Sequence, residues 1–237
     1  MRAPHAEIAT RERLIFALDV PDARSARSLV ERLGDAVHFY KIGLELFMAG
    51  GYFELLDWLA GHGKKIFVDL KFFDIPATVA AAVKGLRGRG VTFATVHGLQ
   101  SIMEAAAQAK GDVKILAVTV LTSLDRRDID ELGSGVDVEQ LVIVRARRSL
   151  ESGCDGVICS GQEAALLRQH VDQRLYIVTP GIRPAGSRAA DDQKRVVTVE
   201  QAFRDGADHI VVGRPIRDAA DPRAAAESIQ NTIAKLF

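Results

Sequence analysis

The segment FVDLKFFDIPATV, residues 67–79, carries three charged residues in a run that begins like a buried strand. They are Asp69, Lys71 and Asp74, and a charge removed from water costs several kcal/mol unless it is paired or hydrogen-bonded. Residues two apart on a strand face the same side, so Asp69 and Lys71 are expected to point together. A lysine held protonated by neighbouring carboxylates can stabilise a developing carbanion and then deliver a proton.

Asp74 is expected in the loop that follows this strand. Pro76 restricts the residue before it to extended geometry, and a helix is expected to begin near Ala77 and Thr78. Strand spacing alone therefore does not bring Asp74 beside Lys71.

Three further charged residues close apolar runs elsewhere in the chain. Asp19 ends LIFALD, Lys41 follows HFY, and Arg214 follows HIVVG. A single charge of this kind is more often a strand-end residue that touches water. If all of them meet at one end of a sheet, Lys41 reaches the region of Asp69 and Lys71. A plain ion-pair network at the strand ends is the alternative, because not every network of this kind is functional.

Eight short apolar runs alternate with segments of helical spacing. The runs span residues 14–20, 38–43, 65–71, 91–98, 113–122, 155–160, 175–181 and 209–214. Continuous apolar runs are typical of parallel strands that are covered on both faces. Eight of them alternating with helices predict an α/β fold, a (β/α)8 TIM barrel forming one domain over residues 1–237, with its active site at the C-terminal ends of the strands. A doubly wound open sheet is the alternative.

Two segments, ESGCDGVICSG and RDGADHIVVGR, repeat one pattern. Each reads as a helix end, a glycine, a small residue, an aspartate and an apolar strand. A repeated αβ unit of this kind favours construction as a barrel.

The last two strands carry the features of an anion site. VVGRPI places Gly213 and Arg214 at the turn after the eighth strand, where backbone N–H groups and a helix dipole favour an anion. In barrels, the loops after strands 7 and 8 frequently bind phosphate. The polar loop at residues 180–195 has the length of a lid, and Arg183 and Gln193 are its candidate ligands.

Composition narrows the classes of function. Lys plus Arg and Asp plus Glu both number 31, so no global basic field would attract nucleic acid or an acidic membrane. The polar segment MRAPHAEIATRER and the lack of a long apolar run lead us to expect no signal peptide and no membrane span, and Cys154 and Cys159 fit a reduced, cytoplasmic protein without a metal site. Dinucleotide, Walker and zincin motifs are also absent from the sequence.

These pieces together resemble the orotidine 5'-phosphate decarboxylase family, in its bacterial form, over essentially the whole chain. The matching motifs are ALD, KIG, DLKFFDIPAT, LTS, TPGIRP, DDQKR and VVGRP, in this order. The D-x-K-x-x-D-I-P pattern, in this order with the other motifs, is highly specific for the family. D-x-K-x-x-D alone is weaker, because related sugar-phosphate barrels carry it too.

The resemblance implies a homodimer, without metal or organic cofactor, that converts the nucleotide orotidine 5'-phosphate to uridine 5'-phosphate and CO2. This is the last step of de novo pyrimidine biosynthesis. Lys71 would be the general acid that protonates C6 after CO2 leaves, and Asp69 would lie near the departing carboxylate. Lys41 would join this catalytic network, and Asp74 would enter it from the partner subunit together with Thr78.

The resemblance also implies the remaining substrate contacts. These are Asp19 and Lys41 at the ribose hydroxyls, Thr122 at the pyrimidine, Gln193 between base and phosphate, and Arg183, Gly213 and Arg214 at the phosphate.

Some positions depart from the pattern of bacterial members. Phe73 stands where His is usual and Ala77 where Asn is usual, and the loop after His97 lacks the expected Gly-Gly. None of these replaces a charged residue of the implied site. They leave open how far the helix start at the dimer interface and the loop after strand 4 follow the family pattern.

Two other functions stay open. A magnesium-dependent sugar-phosphate decarboxylase or aldolase of the same suprafamily would need an acidic metal ligand at the end of strand 2, where this chain has KIG. A non-catalytic phosphate-binding barrel is the other, although binding alone does not need the network of Asp19, Lys41, Asp69, Lys71 and Asp74.

Overall fold

A computed structural model of the chain describes residues 8–131, 135–183 and 196–237. Within them, eight parallel strands close into a barrel in which each strand pairs with its neighbours in the chain and the last pairs with the first. The strands are β1 Leu14–Ala17, β2 Phe39–Gly43, β3 Lys65–Phe72, β4 Val91–His97, β5 Lys114–Val118, β6 Gly156–Ile158, β7 Tyr176–Thr179 and β8 His209–Val212. The predicted (β/α)8 barrel is confirmed, and the open doubly wound sheet is wrong.

Helices follow the strands along the chain. They are α1 Ala23–Leu33, α2 Leu44–Met48, α3 Tyr52–Gly61, α4 Pro76–Lys84, α5 Gln100–Ala109, α6 Arg126–Glu131, α7 Val138–Glu151, α8 Gly161–His170, α9 Val199–Arg204, α10 Arg214–Arg217 and α11 Pro222–Ala234. The start of α4 follows from its sequence, because Pro76 occupies the first turn, where a missing N–H costs no hydrogen bond. No helix in the described ranges is long and apolar enough to cross a bilayer.

The apolar core has two layers because alternate strand residues face opposite sides of the sheet. Ile15, Phe39, Phe67 and Phe93 belong to the cluster that fills the barrel interior. Their neighbours in the strands, such as Phe16, belong to the larger cluster between sheet and helices. With both faces buried, the strands read as continuous apolar runs.

Some predicted strands are longer than the observed ones. The run at residues 14–20 forms a strand only to Ala17, and the run at 113–122 only to Val118. Val120 and Leu121 lie beyond β5 and line the cavity described below. Their apolar character therefore reflects the wall of a cavity as well as a sheet.

The two copies of the repeated αβ pattern make the same hydrogen bonds at the N-terminal end of the barrel, each through its aspartate. Asp155, before β6, accepts hydrogen bonds from the Ile115 N–H at 2.8 Å and from Lys110 Nζ at 2.9 Å. Asp208, before β8, accepts them from the Ile177 N–H at 2.8 Å and from an Arg168 guanidinium nitrogen at 2.7 Å. Each aspartate thereby ties its strand to the start of the preceding strand and to the helix before that one.

Candidate active site

A cavity of about 610 Å³ opens at the C-terminal ends of the strands, and we call this end the barrel mouth. Its volume is within the range of small-molecule sites. The predicted site residues that line it are Asp19, Lys41, Asp69, Lys71, Thr122, Arg183, Gly213 and Arg214. Gln193 lies outside the described residues.

Lysines and aspartates alternate across the floor of the mouth. Lys41 Nζ lies 3.2 Å from Asp19 Oδ1 and 3.3 Å from Asp69 Oδ2. Lys71 Nζ lies 2.9 Å from Asp69 Oδ1. The Asp69 carboxylate therefore has a lysine ammonium at each oxygen.

The row keeps its buried members charged. Burial acts to raise the pKa of Asp69, but Lys41 and Lys71, with hydrogen bonds from Lys71 and Thr95, hold that pKa below its ordinary value. Burial acts to lower the pKa of Lys41, but Asp69 and Asp19 outweigh it and raise the pKa. Ionised groups with fixed partners in a partly buried site can act on charge that develops in a substrate.

The backbone of Lys71 departs from the strand. Its φ is 49°, and it is the one non-glycine residue with a positive φ in the described part of the chain. The β3–β4 pairing also shifts register between Val68 and Phe72. Lys71 and Asp69 meet as the sequence predicts, but a local break in the strand aims the lysine, and regular two-residue alternation does not.

Thr95 on β4 is a member of this cluster that the sequence did not single out. It is fully buried, and its Oγ1 lies 2.9 Å from Asp69 Oδ1 and 3.0 Å from the Lys71 backbone nitrogen. The available signal was weak: Thr95 has the same strand parity as Phe93, which faces the barrel interior.

The part of the mouth that follows β7 and β8 is rich in arginine. Arg183 follows β7, and Gly213 and Arg214 follow β8. Arg217, which the sequence did not single out, lines the same wall; it donates to the Asp19 carbonyl at 2.9 Å and pairs with Asp218 at 2.6 Å. Its spacing of three residues from Arg214 along a helix was the signal that could have found it.

Two predicted residues do not join this cavity within one subunit. Asp74 and Thr78 are exposed and are not among the described residues that line the cavity. Asp74 Oδ1 accepts a hydrogen bond from the Ile75 N–H at 2.6 Å. Beside it, Phe73 is 64% exposed and its ring stacks on His97 with centroids 4.5 Å apart. Phe73, which stands where bacterial members usually have His, thus packs against the last residue of β4.

Metal ligands are not clustered in the described ranges, where no group of three or more His, Cys, Asp or Glu side chains is arranged to hold an ion. Cys154 and Cys159 are both buried.

Comparison with known proteins places this geometry among relatives. The family model described as "Orotidine 5'-phosphate decarboxylase / HUMPS family" matches residues 12–229. The orotidine 5'-phosphate decarboxylase of Methylococcus capsulatus is 64% identical over 230 residues, which cover 97% of this chain and 95% of the relative. That of Stenotrophomonas maltophilia is 56% identical over 225 residues, covering 94% and 93%.

A solved structure agrees with these relatives. The crystal structure of orotidine 5'-phosphate decarboxylase from Lactobacillus acidophilus has a TM-score of 0.82 and 36% sequence identity to this chain. The match covers 94% of this chain and 99% of the other.

Proposed function

This chain belongs to the orotidine 5'-phosphate decarboxylase family, and we propose that the alternating charges of its barrel mouth carry the reaction, with Lys71 as the proton donor to C6. The reaction converts orotidine 5'-phosphate to uridine 5'-phosphate in pyrimidine biosynthesis, and the enzyme is a carboxy-lyase. The observation that supports these roles is the row Asp19, Lys41, Asp69, Lys71 at the cavity floor.

The charges of this row suit a decarboxylation, because Asp69 would face the carboxylate that leaves and Lys71 the carbon that becomes negatively charged. With the substrate carboxylate beside Asp69, the C6–carboxylate bond breaks, CO2 leaves, and its bonding electron pair stays on C6. The Lys71 ammonium, 2.9 Å from Asp69, stabilises that pair and donates its proton to C6. Asp69 keeps Lys71 positioned and adds repulsion against the substrate carboxylate, which is relieved as CO2 departs.

Lys41 and Asp19 serve the ribose in this proposal. Lys41 has a side chain that is only 13% exposed, and it sits between the two aspartates. Its charge offsets that of Asp69, and its contact with Asp19 holds that carboxylate at the cavity wall, where hydroxyl groups of a ribose can donate to it. Thr122 lines the same cavity and would contact the pyrimidine.

The arginine side of the mouth would bind the phosphate. Arg183, Gly213 and Arg214 line the cavity together at the ends of β7 and β8. Gln193 would bridge the lid to base and phosphate. Binding energy from the phosphate, which does not react, would orient the carboxylate against Asp69 and Lys71.

A second subunit would complete each site. We propose a homodimer in which Asp74 and Thr78 reach the partner's mouth. Phe73 and Ile75, on either side of Asp74, are 64% and 67% exposed, and apolar side chains this exposed are suited to burial in an interface. The enzyme would work in the cytoplasm, where its two buried cysteine thiols stay reduced.

The test follows the ultraviolet change as purified enzyme consumes orotidine 5'-phosphate, with and without EDTA. We expect turnover by the wild type in EDTA and almost none by Lys71→Ala. Lys235→Ala, which removes an exposed lysine at the end of α11, is the matched control and should keep wild-type activity.

Each other outcome assigns a different function or role. Loss of wild-type activity in EDTA would favour the magnesium-dependent alternative, and binding of uridine 5'-phosphate without any turnover would favour a binding protein. An active Lys71→Ala enzyme would overturn the role of Lys71 alone.

A further inference from the structure

The hydroxyl of Thr95 contacts both residues to which the proposed chemistry is assigned. Thr95 has no exposed surface, and its Oγ1 lies 2.9 Å from Asp69 Oδ1 and 3.0 Å from the Lys71 backbone nitrogen. A backbone amide can only donate, and an ionised carboxylate can only accept. The directions are therefore set: the Lys71 N–H donates to Oγ1, and the Thr95 O–H donates to Asp69.

The strand pairing explains why a side chain is needed here. β3 pairs with β4 at Val68 with Ala94 and again at Phe72 with Val96. Between these pairs lie residues 69–71 of β3, opposite Thr95 alone. The extra residues cannot follow the regular ladder, and a buried N–H without a partner is costly. Thr95 Oγ1 accepts the Lys71 N–H at this break.

The break also places Lys71 in a strained conformation. A φ of 49° is unfavourable for a residue with a Cβ, and such a conformation persists only where its surroundings impose it. The hydrogen bond from the Lys71 N–H to Thr95 is one contact that imposes it.

The same hydroxyl orients the carboxylate. Asp69 Oδ1 accepts from Lys71 Nζ at 2.9 Å and from Thr95 at 2.9 Å, while Lys41 Nζ lies 3.3 Å from Oδ2. The two lysines end flexible side chains, whereas Thr95 is β-branched and fixed in a strand. Of the three donors, Thr95 is the one held by the barrel frame.

We infer that Thr95 is a positioning residue of the decarboxylase, which sets the Asp69 carboxylate and the Lys71 ammonium in their reactive arrangement through one hydroxyl. The inference rests on the proposed roles of Asp69 and Lys71. It gives Thr95 no contact with substrate, so its loss should slow the chemical step and leave binding nearly unchanged.

The test measures kcat, KM and the Kd of uridine 5'-phosphate for Thr95→Val and Thr95→Ser. Thr95→Val keeps the shape and removes the hydroxyl, and we expect kcat to fall by about 10- to 100-fold, with KM and Kd within about threefold of wild type. Thr95→Ser keeps the hydroxyl, and we expect it to retain kcat within about threefold.

Thr119→Val is the matched control. Thr119 is also fully buried, just beyond β5, but its hydroxyl donates to the Ile158 carbonyl at 2.9 Å and does not reach the Asp69–Lys71 pair. We expect this variant to lose stability comparable to that of Thr95→Val while keeping the wild-type kcat.

Two results would overturn the inference: a wild-type kcat in Thr95→Val, or a kcat in Thr95→Ser as low as in Thr95→Val. If Thr95→Val does not fold, Thr95→Ala replaces it in the comparison with Thr95→Ser, and equal kcat values overturn the inference. A wild-type enzyme inactive on orotidine 5'-phosphate would instead overturn the proposed function.

Discussion

Lys71 Nζ and Asp69 Oδ1 lie 2.9 Å apart although the backbone between them leaves the regular strand. With φ at 49°, Lys71 adopts a conformation that glycine tolerates better than any residue with a Cβ. The position nevertheless carries a lysine. The left-handed backbone of Lys71 therefore lowers the stability of the fold while it places an ammonium group at this site. Substitutions at Lys71 can measure that cost.

Lys71→Gly and Lys71→Ala should separate backbone strain from chemistry. Both remove the ammonium, so both should have almost no decarboxylase activity. Lys71→Gly relieves the left-handed conformation, and we expect its free energy of unfolding to exceed that of Lys71→Ala by about 1 kcal/mol. Urea denaturation of both variants measures the difference, and equal stability or a more stable alanine variant would contradict a strained native backbone.

The proposed donation of Asp74 across a dimer can be tested with two inactive variants. Mixing Asp74→Ala with Lys71→Ala subunits should restore activity, because each heterodimer has one site with both residues intact. Random exchange would restore up to about one quarter of the wild-type activity. The measurement is the decarboxylation rate after subunit exchange.

Mixing Asp69→Ala with Lys71→Ala is the control for that experiment. Asp69 and Lys71 are contributed to a site by the same subunit, since their side chains bond within one chain. No heterodimer of this pair has an intact site, and activity should stay absent. Failure of the Asp74→Ala mixture despite demonstrated exchange would reject Asp74 as the donated residue.

The two aspartates at the N-terminal end of the barrel should affect stability to different degrees. The Asp208 and Arg168 side chains are 9% and 15% exposed, whereas Asp155 and Lys110 are 23% and 27% exposed. We expect Asp208→Ala to lower the free energy of unfolding by about 3 kcal/mol and Asp155→Ala by about 1–2 kcal/mol. Both folded variants should keep the wild-type kcat, because the barrel mouth is at the opposite end. Equal losses of stability in urea denaturation would contradict this ranking.

His209 should make the barrel sensitive to acid. It is buried against Phe39, Phe93 and Tyr176, and burial lowers its pKa from 6.5 to about 3. In the unfolded chain His209 therefore becomes protonated below pH 6.5, whereas in the native barrel it stays neutral until about pH 3. As pH falls through this window, the contribution of His209 to stability should be lost at up to about 1.4 kcal/mol per pH unit.

Urea denaturation between about pH 6.5 and 5 measures this loss, largely above the range in which carboxylates such as Asp69 titrate. His209→Asn, which can still donate to the Glu12 carbonyl that His209 Nδ1 contacts at 2.9 Å, should show a shallower dependence than wild type. Identical slopes for wild type and His209→Asn would rule out a buried neutral His209.

Much of the architecture follows from local pattern. Apolar runs covered on both faces become parallel strands, and in a closed parallel barrel the C-terminal end of every strand reaches the same mouth. Charged residues at the ends of different runs, such as Asp19, Lys41 and Asp69, were therefore predictable as neighbours, although they are far apart in the chain.

Register and local breaks in a strand depend on contacts between distant segments, and no local pattern encodes them. The left-handed Lys71 donates its N–H to the Thr95 hydroxyl because β3 has three residues where β4 has one. The paired roles of Asp155 and Asp208 likewise appear once the strands are aligned, since each bonds to the start of a neighbouring strand. Side-chain types and their order place the charges at the mouth, whereas long-range pairing of the strands aims them at each other.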